Sequence, residues 1–275
     1  MATRLTRVGA SVLARREARR RPRRAVRTEV VAVTRPTPDL VRVTLTGPGV
    51  AGFPVLGGDQ YARLLLARPG QREPQLPVGA LWYPELLAMA DSVRPVLRNY
   101  TLRAVRPDRA EVDVDLVLHP GAGPATTWAA AARVGDVVGL VEQGLLHAPD
   151  PTADVVLLVA DETGLPAVAG LLAQLPAAAR VVAVVEVGSV ADEQPLTGPG
   201  RLDLTWLHRG DRPPGVLALA HLPTVDLPPG RCSAWLAGEA AMATGLRRHL
   251  VHDRRLARTD VAFAGYYRQG RPQYA

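Results

Sequence analysis

The sequence predicts two domains in series, an antiparallel β-barrel followed by an α/β domain built on a parallel sheet. Two observations carry this. Between residues 28 and 141 the apolar residues alternate in short runs broken by Gly, Pro and Asp, as in strands with one face on a core. After Asp150 they become continuous apolar strands separated by helical stretches, as in a sheet covered on both faces. With 275 residues and 47% hydrophobic content, the chain is long enough to fill two such cores.

The barrel runs fall at 29–34, 39–46, 60–67, 98–105, 110–118 and 136–141. Residues 69–97, Pro-rich and carrying Trp82 and Tyr83, read as an irregular insertion. Pro124, ahead of a Thr-Thr-Trp-Ala run, suits the first turn of a helix. In the second half, strands are expected at 155–160, 180–187, 202–207 and 234–237, with helices at 165–175 and 239–251. The boundary falls near residues 147–152, which divides a barrel domain (26–148) from an α/β domain (149–275). Residues 1–25 read as a basic flexible arm.

Charge is concentrated in that arm. Residues 1–28 hold ten Arg against one Glu, whereas the remainder holds 23 Arg against 25 acidic residues, so the body is near neutral. A nucleic-acid partner is therefore not expected. No uninterrupted apolar run reaches the roughly 18 residues of a membrane span, and the arm lacks the apolar stretch of a secretory signal. Cys232 is solitary, which excludes a disulfide framework and an iron-sulfur site, and the expected compartment is the cytoplasm. His249 and His252 are three apart but have no third ligand at useful spacing, so they read as a solvated face and no metal site is expected.

The segment Arg98-Asn99-Tyr100-Thr101-Leu102-Arg103 carries the most chemistry. In an extended chain Arg98 and Tyr100 project together, a bidentate cation beside a flat ring, while Thr101 faces away unless the strand twists. That pair suits the pyrophosphate and ring of a flavin. The helix opening at Gly123–Trp128 offers first-turn amides and the hydroxyls of Thr126 and Thr127 to an anion; an ordinary capped helix is the other reading. Asp161-Glu162-Thr163-Gly164 sits where a nucleotide meets the carboxyl edge of a parallel sheet, with Thr163 as the better nucleotide contact. The acidic pair would meet a nicotinamide, the flavin edge or backbone amides. Glu186 would favour the ribose diol of NADH, and Arg209 the 2′-phosphate of NADPH.

Further blocks follow in order. They are Val43-Thr44-Leu45-Thr46-Gly47-Pro48 with Phe53, Asp115-Leu116-Val117-Leu118-His119 leading into Gly123–Ala129, Gly135-Asp136, and Asp161–Ala167. Trp206-Leu207-His208-Arg209, Trp235–Ala240 and Gly265-Tyr266-Tyr267-Arg268 complete the series. Together with the Arg98 strand, these blocks resemble the siderophore-interacting protein family of flavin-dependent ferric-siderophore reductases over about residues 28–270. The resemblance implies a ferredoxin-reductase-like fold: an FAD-binding barrel, then an NAD(P)-binding α/β domain.

It also implies cofactor contacts at Arg98, Tyr100, Thr101, His119, Ala125, Thr126, Thr127 and Trp128 for FAD. For the nucleotide it implies Asp161, Thr163, Arg209, Gly238 and Glu239. His119 reads equally as a flavin contact or a structural hydrogen bond, and Trp128 equally as packing. The chemistry is flavin-mediated, so no catalytic side chain is expected. An anionic ferric chelate would be met by Arg63, which replaces a family Lys, with Arg103, Arg247 and Arg268 as looser candidates. NADPH is slightly favoured over NADH. The chain departs from the family at Glu142-Gln143-Gly144 in place of Gly-Pro, at Ala160 in place of Gly, and at Tyr267 in place of Trp. The expected function is electron transfer from NADPH through FAD to siderophore-held iron. Two alternatives remain open on the same scaffold: a secondary-metabolism flavoprotein acting on an organic substrate, and a noncatalytic flavin-containing ligand-binding protein.

Overall fold

The computed structural model describes residues 23–119, 123–147, 150 and 152–271. The arm expected at residues 1–25 lies almost wholly outside them.

Six strands form the barrel: β1 (Val26–Thr37), β2 (Leu40–Thr46), β3 (Gln60–Leu66), β4 (Val96–Arg106), β5 (Glu111–Val117) and β6 (Val137–Leu145). They close in the order β1-β2-β5-β4-β3-β6, and every pairing is antiparallel. The alternation seen in the sequence decides which side chains fill the barrel. On β2, Val41, Val43 and Leu45 are fully buried, while Arg42, Thr44 and Thr46 between them reach outward. Arg42 pairs with Asp115 at 2.6 Å and Arg106 with Asp113 at 2.6 Å, so the outer wall of β2, β5 and β4 is laced by charge.

The insertion is less irregular than expected. Residues Trp82–Ala88 form a short helix, α1, which buries Trp82 and Leu86 against Leu65, Leu97 and Val141 on the barrel's outer face. The second helix, α2 (Pro124–Ala131), packs Ala125 and Ala129 into the barrel's own core.

The α/β part is a five-stranded parallel sheet in the order β11-β10-β7-β8-β9. Its strands are β7 (Val155–Asp161), β8 (Arg180–Val187), β9 (Arg201–His208), β10 (Cys232–Glu239) and β11 (Val261–Tyr267). Every residue of β7 is buried, because helices lie on both sides. On one face α3 (Leu165–Gln174) covers Val156, Leu158 and Ala160. On the other, α4 (Val216–His221) and α5 (Ala240–Arg248) cover Val155, Leu157 and Val159. A loop with a single 3₁₀ turn links β8 to β9; the helix expected at 239–251 runs as α5 to Arg248 and continues as a π turn over His249–Asp253; and β11, not assigned from sequence, forms one edge. Among the described residues no helix is long and apolar enough to cross a membrane.

Candidate functional site

Arg98 and Tyr100 share one face of β4, opposite Leu64 and Ala62 of β3. Tyr100 packs against the barrel core, and burial pushes its hydroxyl up to about 12, so the ring stays neutral. The Arg98 guanidinium is half-buried and donates to the Leu97 carbonyl at 2.6 Å. No carboxylate lies within ion-pair reach of it among the described residues. A half-buried cation lacking a counter-charge is poorly compensated until an anion joins it. This is the observation that fits a flavin pyrophosphate to the strand.

Helix α2 packs beside β4 and β5. Its first turn is more engaged than the sequence suggests. The amides of Thr126 and Thr127 both return to the Gly123 carbonyl, at 3.1 and 3.2 Å. The Thr127 hydroxyl also points to Gly123, and that of Thr126 to Val117, through long contacts of 3.4 and 3.5 Å. The Ala125 amide is the one this turn leaves for an anion, and the two hydroxyls are held weakly enough to turn. Trp128 packs on the barrel core.

Thr101 lies on the opposite face, as the period of a strand dictates, and is buried. Its hydroxyl hydrogen-bonds the Tyr266 oxygen, and the Tyr266 O–H donates to Asp59 at 2.9 Å. Trp235 Nε1–H donates to the other Asp59 oxygen at 3.0 Å. Asp59, Trp235 and Tyr266 thus join the barrel to β10 and β11. Sequence reasoning missed Asp59, whose signal was a lone acid after Gly57-Gly58 immediately ahead of a strand.

At the carboxyl edge of β7 the acidic residues turn inward. Asp161 is fully buried and accepts from the Thr163 amide at 2.9 Å, the Thr163 hydroxyl at 2.5 Å and the Glu239 amide at 2.7 Å. Burial, then the neighbouring Glu162, push its pKa up. Gly238 (φ +142°) brings its backbone so near that a Cβ there would strike the Asp161 carboxylate, which is why the turn needs glycine. Ala160, where the family has Gly, points at Gly164 inside the core. It does not narrow the edge.

Several sequence assignments change at this point. Arg209, expected to pair with a 2′-phosphate, grips Glu162 through two bonds of 2.6 Å. Glu186, expected to meet a ribose, is fully buried and caps α4, accepting from the Gly215 amide at 2.6 Å and the Ala218 amide at 2.8 Å. Glu239 caps α5 through the Ala241 and Met242 amides and also accepts from Gln269, so it does not project toward a nicotinamide. The Thr163 hydroxyl is held by Asp161. His119 stacks on Tyr267, with centroids 5.9 Å apart, and burial lowers its pKa. The Tyr267 hydroxyl is buried without a well-formed hydrogen bond, facing Asp161 and Glu162. Asp39, His119, Glu162, Asp192 and Arg209 help line a cavity of about 70 Å³ between barrel and sheet.

The four substrate candidates are held by different neighbours. Arg63 lies on the outer face of β3 with its guanidinium 5.2 Å from the Trp82 ring and 5.0 Å from that of Tyr83. Arg247 lies 4.8 Å over Phe263. Arg103 sits at a bulge of β4 near Arg42 and Asp115, and burial lowers its pKa. In all three the Nε is buried without a partner. Arg268 is exposed at the end of β11. His249, read as solvated, meets Asp253 at 2.9 Å.

A closed six-stranded barrel with an anion-seeking arginine and an aromatic ring on one strand, joined to a five-stranded parallel sheet, defines a ferredoxin-reductase-like flavoprotein. The ferredoxin reductase in carbazole 1,9a-dioxygenase has this fold, with a TM-score of 0.63 and 16% identity over 90% of this chain and 71% of that one. The chain belongs to the siderophore-interacting protein family. Residues 29–145 match the siderophore-interacting FAD-binding domain, and residues 153–270 match the siderophore-interacting protein domain. A siderophore utilization protein from T. fusca is 33% identical, with a TM-score of 0.79, over 93% of this chain and 97% of that one. The ferric vibriobactin reductase ViuB of Vibrio cholerae is 30% identical over 86% of this chain and 87% of its own length. The NADPH-dependent ferric-chelate reductase of Escherichia coli is 27% identical over 80% and 84%.

Proposed function

We propose that this protein passes electrons from NADPH to ferric iron held by a siderophore and releases ferrous iron, working in the cytoplasm on a small-molecule chelate. The observation that carries the reading is Arg98, a half-buried cation beside Tyr100 on a barrel strand, with no carboxylate in ion-pair reach among the described residues. When bound, FAD would supply the redox chemistry, hydride acceptance and one-electron release.

What the chain contributes is placement. Arg98 and the Ala125 amide at the start of α2 hold the pyrophosphate. Tyr100 offers its ring to the flavin as a flat apolar surface, with its hydroxyl kept neutral by burial. The edge formed by Asp161, Thr163 and Gly238 is locked by its own hydrogen bonds, so it acts as a shaped backbone surface against the nicotinamide. Asp161, Thr163 and Glu239 support that surface. Arg63 faces outward from β3 over an aromatic pair and meets the anionic chelate; Arg103, Arg247 and Arg268 are further cations for it. Hard oxygen donors hold Fe³⁺ far more tightly than Fe²⁺, so reduction frees the metal. Functionally the chain divides into a barrel domain (26–148), an α/β domain (149–275) and an arm ahead of both.

Rapid mixing of FAD-loaded protein with NADPH tests the proposal. The flavin absorbance is expected to bleach and then return when a ferric chelate is added. No bleaching by NADPH or NADH would overturn it.

A further inference from the structure

Among the described residues, Asp59 is the one barrel carboxylate that reaches the α/β sheet by accepting from two of its strands. It is 1% exposed, and its acceptors are filled by Trp235 Nε1–H from β10, Tyr266 O–H from β11 and the His147 amide ahead of β7. The surroundings allow little play. A Cβ on Gly58 would collide with the backbone of Gly170 and Leu171, so α3 and the loop carrying Asp59 touch backbone to backbone. Trp235 pairs with Leu158 of β7 and Ala262 of β11, and its strand runs on into Gly238 and Glu239. Tyr266 also bonds Thr101, the neighbour of Tyr100.

From this we infer that Asp59 is a positioning residue, fixing the nucleotide-facing edge of the α/β sheet against the strand that carries Arg98 and Tyr100. A buried carboxylate is a costly way to hold two domains together, since apolar contact would do so without desolvating a charge. What it adds is direction. Two donors from two strands, 31 residues apart in sequence, must both point at one carboxylate, and that sets an angle that apolar packing leaves free. Hydride transfer is steep in distance and alignment, so a small change of that angle costs rate while leaving each binding surface intact. The kinetic consequence rests on the reductase reading above; the geometric one does not.

Two measurements separate them. In Asp59→Ala, FAD affinity and the KM for NADPH are expected to stay within about twofold of the parent, while the first-order bleaching rate at saturating NADPH falls about tenfold or more. Asp59→Asn keeps a carboxamide oxygen for one donor and is expected to recover most of that rate. Spin labels at the exposed positions Val31 on β1 and Val216 on α4, with buried Cys232 left in place, report the interdomain distance directly. Asp59→Ala should broaden the distance distribution and Asp59→Asn should keep it narrow. If Asp59→Ala does not fold, Tyr266→Phe removes one of the same bonds from the other side and should broaden the distribution in the same sense. An unchanged distribution in the variant measured overturns the inference, as does a bleaching rate that falls only in proportion to lost flavin. Should the parent itself fail to bleach, the reductase reading fails, and the spin-label distances still decide the role of Asp59.

Discussion

At the residue scale, charge pairing separates groups available to a ligand from groups already committed. From the sequence, Arg98 and Arg209 are both expected to meet a phosphate, the flavin pyrophosphate and the 2′-phosphate of NADPH respectively. Among the described residues Arg98 has no carboxylate in ion-pair reach, whereas Arg209 is spent on Glu162. Arg98→Ala should therefore weaken FAD by about 2–5 kcal/mol, the usual loss for one partner of a buried charge-assisted contact. Flavin absorbance per protein after gel filtration measures this, and undiminished flavin would remove Arg98 from the site. Glu186 leads to the opposite expectation. Its two short bonds to the Gly215 and Ala218 amides make it a cap of α4, so Glu186→Ala should cost about 1–3 kcal/mol of stability in chemical denaturation. The preference between NADPH and NADH should not move, because a carboxylate buried under a helix start does not meet a ribose. A changed preference would return Glu186 to the nucleotide site.

Elements show why some of this was legible and some was not. All six barrel strands and four of the five sheet strands follow from apolar period, because each strand buries either one face or two and the pattern records which. Strand β11 escaped because it begins Val-Ala-Phe-Ala-Gly, with Phe263 46% exposed, so an edge strand carries only half the apolar signal of its neighbours. Helix α1 escaped because a Pro-rich segment hides a seven-residue helix that is stabilised by docking Trp82 and Leu86 on the barrel, a tertiary effect. That docking puts Trp82 and Tyr83 beside Arg63, which gives this element its test. Arg63→Glu should raise the KM for an anionic ferric chelate while NADPH bleaching of the flavin proceeds as before. The effect should diminish at high salt, where a Debye length of about 3 Å at 1 M screens an approaching anion. Equal KM values for parent and variant with ferric catecholates and hydroxamates would exclude Arg63 from the chelate site.

For the whole molecule, the sequence conveys two domains in order but not how they meet, since the bonds that join them pair residues far apart in the chain, 176 positions for Asp59 with Trp235 and 207 for Asp59 with Tyr266. Asp59 with Trp235, and Asp59 with Tyr266, leave no trace in local period or spacing. The same joint makes stability depend on pH. Desolvation raises the Asp59 pKa from 3.8 to about 6, against the pull of its Trp235, Tyr266 and His147 hydrogen bonds. The folded protein therefore holds the Asp59 proton more tightly than the unfolded chain does. Its contribution is fully present below about pH 4 and is lost as pH rises through about 6, amounting to about 3 kcal/mol across the window. Asp161 is shifted in the same direction, so the parent's profile alone mixes the two. The difference between parent and Asp59→Asn isolates Asp59, because the carboxamide does not titrate and Asp161 is common to both. Unfolding free energies from urea titrations at half-unit steps from pH 4 to 7.5 should show the variant gaining on the parent by about 2 kcal/mol over that range, with most of the gain between pH 4 and 6. Parallel profiles would mean that Asp59 is ionised throughout, with its three donors outweighing the cost of burying its charge.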